Sequence, residues 1–105
     1  MKGVKQSVFV LKSEELIEGE PQDVVVNGNV VLVARIGGEI YAVEGICTHA
    51  YAELIDGDLD EHCLVCPLHF ACFDIRNGIV LEGPANVPLT TYEVEERDGK
   101  IWINE

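Results

Sequence analysis

Apolar positions fall in short runs separated by glycine, proline and asparagine, and the dominant period is two. Val4 to Lys12 has strand composition, centred on Val8, Phe9, Val10 and Leu11. Ser13-Glu14-Glu15-Leu16 predicts at most one helical turn, and Gly19-Glu20-Pro21 ends it. Asp23 to Val26 and Val30 to Ile36 are β-rich runs joined through Asn27-Gly28, a strong hairpin signal. Gly37-Gly38 then turns the chain into Ile40 to Val43. Further on, Asn77-Gly78 separates Phe73-Asp74-Ile75 from Ile79-Val80-Leu81 in another hairpin. Thr90 to Glu96 alternates with Tyr92 and Val94 on one face, and Asp98-Gly99 turns it into a last strand, Lys100 to Ile103. No long helical period occurs. Short strands at regular spacing predict an all-β fold, an antiparallel β-sandwich or barrel, and no repeat, linker or low-complexity stretch interrupts it.

At 105 residues and 48% hydrophobic content, the chain has the length and composition of one domain, residues 1–105, with a core that needs no disulfide staples. The longest apolar run, Val30 to Ala34, is far too short to cross a bilayer, and Met1-Lys2-Gly3-Val4 lacks the apolar segment of a signal peptide. The expected location is therefore the cytoplasm, in soluble form. The net charge of −12 disfavours nucleic acid and anionic membranes and suits partners with basic docking patches. Acidity of this kind also simply keeps a small protein in solution, so charge does not choose between the two.

The chemistry lies between Cys47 and His69. Cys47-Thr48-His49 and Cys66-Pro67-Leu68-His69 form two clips, C-x-H and C-x-x-H, separated by sixteen residues. Two thiolates and two imidazoles narrow the metal to zinc, copper or iron–sulfur. With cysteine first and histidine second in each clip, both cysteines can bind one iron and both histidines the other, the ligation of a Rieske [2Fe–2S] centre.

On these residues the chain resembles the Rieske ferredoxins that pass electrons to aromatic-ring oxygenases. The resemblance covers most of the sequence. Gly38-Glu39-Ile40-Tyr41-Ala42-Val43 leads into the first clip, Asp56-Gly57-Asp58-Leu59 lies between the clips, and Phe73-Asp74-Ile75-Arg76-Asn77-Gly78 follows the second. Gly83-Pro84-Ala85, Val87-Pro88-Leu89 and Asp98-Gly99-Lys100-Ile101 continue the match. It implies one [2Fe–2S] cluster held by Cys47, His49, Cys66 and His69 in a lobe of about residues 45 to 85. It also implies a one-electron carrier between a flavin-dependent reductase and a terminal oxygenase, and not a catalyst. High-potential relatives carry an extra cysteine in each clip, where this chain has Ala52 and Leu68, and hydroxyls where it has Ala71 and Phe73. A potential at the low end of the Rieske range follows. Phe70 stands where many members have glycine, which would permit a positive φ, so a bulky residue is expected to alter the loop or the cover over the histidine edge.

Other readings attach to the same residues. Cys2His2 is an ordinary structural zinc set, which would make the chain a protein-binding module. A Rieske-like small subunit of another redox enzyme, such as nitrite reductase, is a third possibility, although members of that group often lack the ligands. Cys63 and Cys72 read as small buried residues that could face each other, with a cytosolic disulfide not expected. His62 reads as a solvated surface residue, Tyr41 and Trp102 as packing residues, and Asp74 with Arg76 as a turn brace. Asp56, Asp58 and Asp60 begin like a calcium loop, but Glu61 and Pro67 occupy the positions where glycine and a bidentate glutamate are needed, so a solvated turn is expected.

Overall fold

The computed structural model describes residues 7–48, 52–68, 70–83 and 87–104. Among them the chain forms β1 (Ser7–Lys12), β2 (Gln22–Val26), β3 (Asn29–Ile36), β4 (Glu39–Glu44), β5 (Asp58–Asp60), β6 (Cys63–Val65), β7 (Cys72–Asp74), β8 (Val80–Glu82), β9 (Thr91–Arg97) and β10 (Lys100–Asn104). One-turn 3-10 helices occupy Ser13–Glu15 and Leu54–Asp56. Neighbouring strands are antiparallel throughout. Six of them form a sheet in the order β1-β10-β9-β4-β3-β2, and β1 and β2, at its two ends, approach each other to give a nearly closed barrel. The other four, β5-β6-β7-β8, make a smaller sheet that carries the second clip. The expected all-β sandwich or barrel is what the chain builds. No helix among the described residues is long and apolar enough to cross a membrane.

The turns explain the order. Asn27 and Gly28 take φ of 50° and 82°, and Asp98 and Gly99 take 55° and 71°, the left-handed pairs that a tight hairpin needs. Both hairpins pair in the register these turns dictate, Val26 with Asn29 and Arg97 with Lys100.

The run Val30 to Ala34 has its own reason. β3 is covered on both faces. Val31 and Val33 join Val24, Val26, Ala42, Ile101 and Ile103 inside the barrel. Leu32 and Ala34 turn the other way, into a second core with Val43, Leu54, Leu64, Phe73, Ile75 and Leu89. A strand buried on both sides reads as continuously apolar. Burying one such aliphatic side chain contributes about 1.5–3 kcal/mol, and the second core also contains Cys47 and Cys66.

The stretch after Asp56 corrects the sequence reading. Asp58–Asp60 is not a solvated turn but strand β5, paired with β6 through Asp58–Val65, Leu59–Leu64 and Asp60–Cys63. Leu59 packs against the second core while its aspartate neighbours face outward. The turn falls one step later, at Glu61-His62, where Glu61 takes φ of 56°. Gly57 fits closely at the other end of the pair: a Cβ there would lie 1.8 Å from the carbonyl oxygen of Val65.

Candidate metal centre

Each clip begins where a ladder ends. Past β4, the Gly45 N–H donates to the Val30 carbonyl (2.9 Å), the Leu54 N–H donates to the Gly45 carbonyl (2.9 Å), and Ile46 bridges Glu53. Cys47 comes next, and its N–H donates to the Ala52 carbonyl at 2.8 Å. The second clip repeats this. Val65 pairs with Cys72, and the Cys66 N–H donates to the Ala71 carbonyl at 2.8 Å. Two six-residue loops, Cys47 to Ala52 and Cys66 to Ala71, are thus closed by the same bond.

Both cysteines point inward, with Cys47 2% and Cys66 0% exposed. Their side chains are hydrogen-bonded to each other. Burial first, and then that bond, push the Cys66 thiol above the ordinary cysteine value, and the amide of Leu68 offsets part of the rise. Two protonated thiols meeting in an apolar core make little use of their polarity. A metal that displaces their protons would use it, since thiolate ligation is coupled to proton release. The donor set therefore fits the iron held by sulfur in a Rieske cluster. His49 and His69 lie outside the described residues.

Among the described residues, the side chains beside the two sulfurs are apolar. Ala71 and Phe73 are fully buried beside the cysteines, with no side-chain hydroxyl. The Thr48 hydroxyl donates to the Val87 carbonyl (2.6 Å), tying the first clip to the segment after residue 86. Leu68, Phe70 and Val87 stand exposed at this end, Phe70 the most at 72%. Phe70 takes φ of 58°, so the loop keeps the left-handed geometry that glycine would give, with a phenyl ring carried on it. The expected change falls on the surface and not on the loop path.

Behind the second clip, Asp74 is buried and Arg76 folds back onto it. The Arg76 backbone N–H and Nε donate to Oδ1 (2.9 and 3.0 Å), and Nη2 donates to Oδ2 (3.0 Å). These bonds hold the Asp74 carboxyl below the ordinary range despite burial. The pair braces a turn, as expected, and Gly78 completes it with φ of 78°, its N–H donating to the Asp74 carbonyl (2.6 Å). His62 departs from the solvated reading: it is half-buried, edge-on to Tyr41 with ring centroids 5.9 Å apart. Trp102 packs edge-on against Phe9 (5.8 Å), with the Arg97 guanidinium over its ring.

Cys63 and Cys72 are the larger correction. The structure joins them in a disulfide, with Cα atoms 5.6 Å apart. The expectation of free thiols rested on compartment alone, whereas strand register decides proximity. Cys63 lies three residues before Cys66 and Cys72 three after His69, but that spacing alone does not pair them.

A buried cysteine pair offered by two loops of an antiparallel β fold fits an iron–sulfur carrier, and the chain belongs to the Rieske [2Fe–2S] domain family, whose profile matches residues 6–93. Its cofactor is the [2Fe–2S] cluster of that family. Its relatives are ferredoxin components of dioxygenase systems. It is 34% identical to the anthranilate 1,2-dioxygenase ferredoxin subunit of Burkholderia cepacia, over 87% of this chain and 84% of that one. It is 39% identical to the 3-phenylpropionate/cinnamic acid dioxygenase ferredoxin subunit of Photorhabdus laumondii, over 91% of each. The ferredoxin of carbazole 1,9a-dioxygenase from Nocardioides aromaticivorans superposes with a TM-score of 0.89 at 32% identity, covering 93% of this chain and 96% of that one. A ferredoxin chain solved in complex with the oxygenase of carbazole 1,9a-dioxygenase superposes with a TM-score of 0.86 at 32% identity, covering 91% and 99%. The family placement agrees with the resemblance read from the clips and sets aside the zinc module.

Proposed function

We propose that this protein carries single electrons from a flavin-dependent reductase to a terminal ring-hydroxylating oxygenase, working as one Rieske domain in the cytoplasm. The observation that carries the reading is the meeting of Cys47 and Cys66 in the core between two identically closed loops. Cys47 and Cys66 would hold one iron, and His49 and His69 would hold the other. The bound cluster would supply a one-electron couple, and because the two cysteine thiolates would cancel the two positive charges of its oxidised core, the reduced state would leave only one negative charge for the surrounding residues to solvate.

The chain's own residues set the rest. Ala71 and Phe73 keep water and hydroxyl donors away from the sulfurs, so the reduced state gains little stabilisation and the potential stays at the low end of the Rieske range of about −150 to +300 mV. Ala52 and Leu68 replace the cysteines that would link the two clips. The exposed side chains Leu68, Phe70 and Val87 give an apolar contact face at the clip end, and the charge of −12 steers the protein to basic docking patches and lets it leave quickly. Reconstitution tests the reading. With a reductase and oxygenase of a ring-hydroxylating system, NAD(P)H-driven product formation should depend on this protein. Full turnover without it, or iron- and sulfide-free protein that binds only zinc, refutes the proposal.

A further inference from the structure

The cluster accounts for two of the four cysteines, and Cys63 and Cys72 remain. They sit on β6 and β7 at the base of the loop that presents Cys66 and His69. The register pairs Cys63 with Asp74 and Val65 with Cys72, which makes the two cysteines diagonal neighbours. Their Cα separation of 5.6 Å lies within the span that a disulfide bridges.

Their surroundings differ. Cys72 is buried, at 7% exposure. Cys63 is half-exposed and lines a groove of about 310 Å³ together with Asp60, Glu61, His62, Arg76 and Leu81. A small thiol entering this groove therefore meets Cys63 first. The groove presents mixed charge to an incoming thiol, the Arg76 guanidinium, itself paired with Asp74, opposite the carboxylates of Asp60 and Glu61. An accessible disulfide in a thiol-buffered compartment is of the labile kind.

We propose that Cys63 and Cys72 form a second redox site, a dithiol/disulfide couple that exchanges with small thiols through this groove and, when oxidised, locks the base of the second clip. In reduction, the thiolate of a small thiol attacks Cys63 Sγ and the Cys72 thiolate leaves and takes a proton. A second small thiol then attacks its counterpart in the mixed disulfide and releases Cys63 as a thiol. Two thiols are oxidised to one small disulfide while the protein gains two electrons and two protons. A small disulfide such as oxidised glutathione drives the reverse. The first clip has no such link, so cluster retention on the second side follows the thiol state of the surroundings.

Anaerobic holoprotein is equilibrated in glutathione buffers of graded ratio, quenched in acid, alkylated, and mapped residue by residue by mass spectrometry. Cys63 and Cys72 should pass together from unmodified to alkylated as the buffer becomes reducing, with the transient glutathione adduct on Cys63. Free thiols in every buffer, an unbroken disulfide in every buffer, or an adduct on Cys72 overturns the proposal. Loss of the visible absorbance to an iron chelator supplies the second readout. It should be about tenfold slower in the disulfide form, and Cys63→Ser should lose faster in every buffer without dependence on the glutathione ratio. Equal rates in the two forms of the unaltered protein contradict the locking. The thiol map needs no partner protein, so its outcome is independent of electron delivery.

Discussion

The loop from Cys47 to Ala52 and the loop from Cys66 to Ala71 open alike, with a buried cysteine whose N–H donates at 2.8 Å to the carbonyl five residues on. They are secured differently. The first grows out of the large barrel: Gly45 binds β3, and Thr48 reaches the Val87 carbonyl (2.6 Å). The second hangs on three-residue strands and is secured by the Cys63–Cys72 link, the Asp74–Arg76 brace and the close fit of Gly57 under Val65. The contrast teaches that one backbone closure suffices to aim a sulfur. What varies is how a clip resists being pulled open, and a short sheet needs more fastening than a barrel.

Removing a ligand is the largest perturbation. Cys47→Ser, His49→Ser, Cys66→Ser or His69→Ser should each abolish the visible cluster spectrum, with equal severity in the two clips. A variant of one clip that retains the spectrum breaks the symmetry of the account. Next come the glycines that seat each loop. Gly57→Ala places a Cβ 1.8 Å from a backbone oxygen and should cost about 3 kcal/mol or more by denaturant unfolding. Gly45→Ala meets mainly the Val30 side chain, at 2.8 Å, which can shift, so about 1 kcal/mol is expected.

The Asp74 brace belongs only to the second clip and has a pH signature. Its carboxyl titrates below the ordinary value in the folded protein, chiefly through the hydrogen bond from Arg76. The stability it supplies is therefore complete above about pH 4 and is lost as pH falls through the depressed value. Asp74→Asn should lower stability at pH 7 by about 1–2 kcal/mol. The gap to the unaltered protein should close toward pH 2. A gap that is constant with pH would show that packing, not charge, holds the turn.

The smallest change concerns Phe70. Its φ of 58° is costly for a side chain with a Cβ. Phe70→Gly should raise stability by about 0.5 kcal/mol after the added chain entropy of glycine. Electron transfer to the oxygenase should fall several-fold if the ring anchors the contact. A stabler variant with unchanged transfer removes Phe70 from the docking face.

Much of this was legible in the sequence because it is local. Asn27-Gly28 and Asp98-Gly99 dictate their hairpins through backbone conformation, and Val30 to Ala34 announces a strand covered on both faces. The clip cysteines were legible through spacing, and the structure brings Cys47 and Cys66 together. What stayed hidden depends on register between short strands. Asp58–Asp60 alternates too briefly to signal a strand, and only its pairing with Cys63–Val65 makes it one. The Cys63–Cys72 link is set by how β6 meets β7, which composition cannot report. His62 looked solvated because its partner, Tyr41, lies on a distant strand.

The most direct test is a potential-controlled titration of the purified protein followed by electron paramagnetic resonance. A single Rieske-type signal should grow in as one electron per chain is added, with a midpoint below about 0 mV, in the lower part of the family range. No signal on full reduction, or a midpoint above about +100 mV, contradicts a low-potential cluster shared between cysteine and histidine.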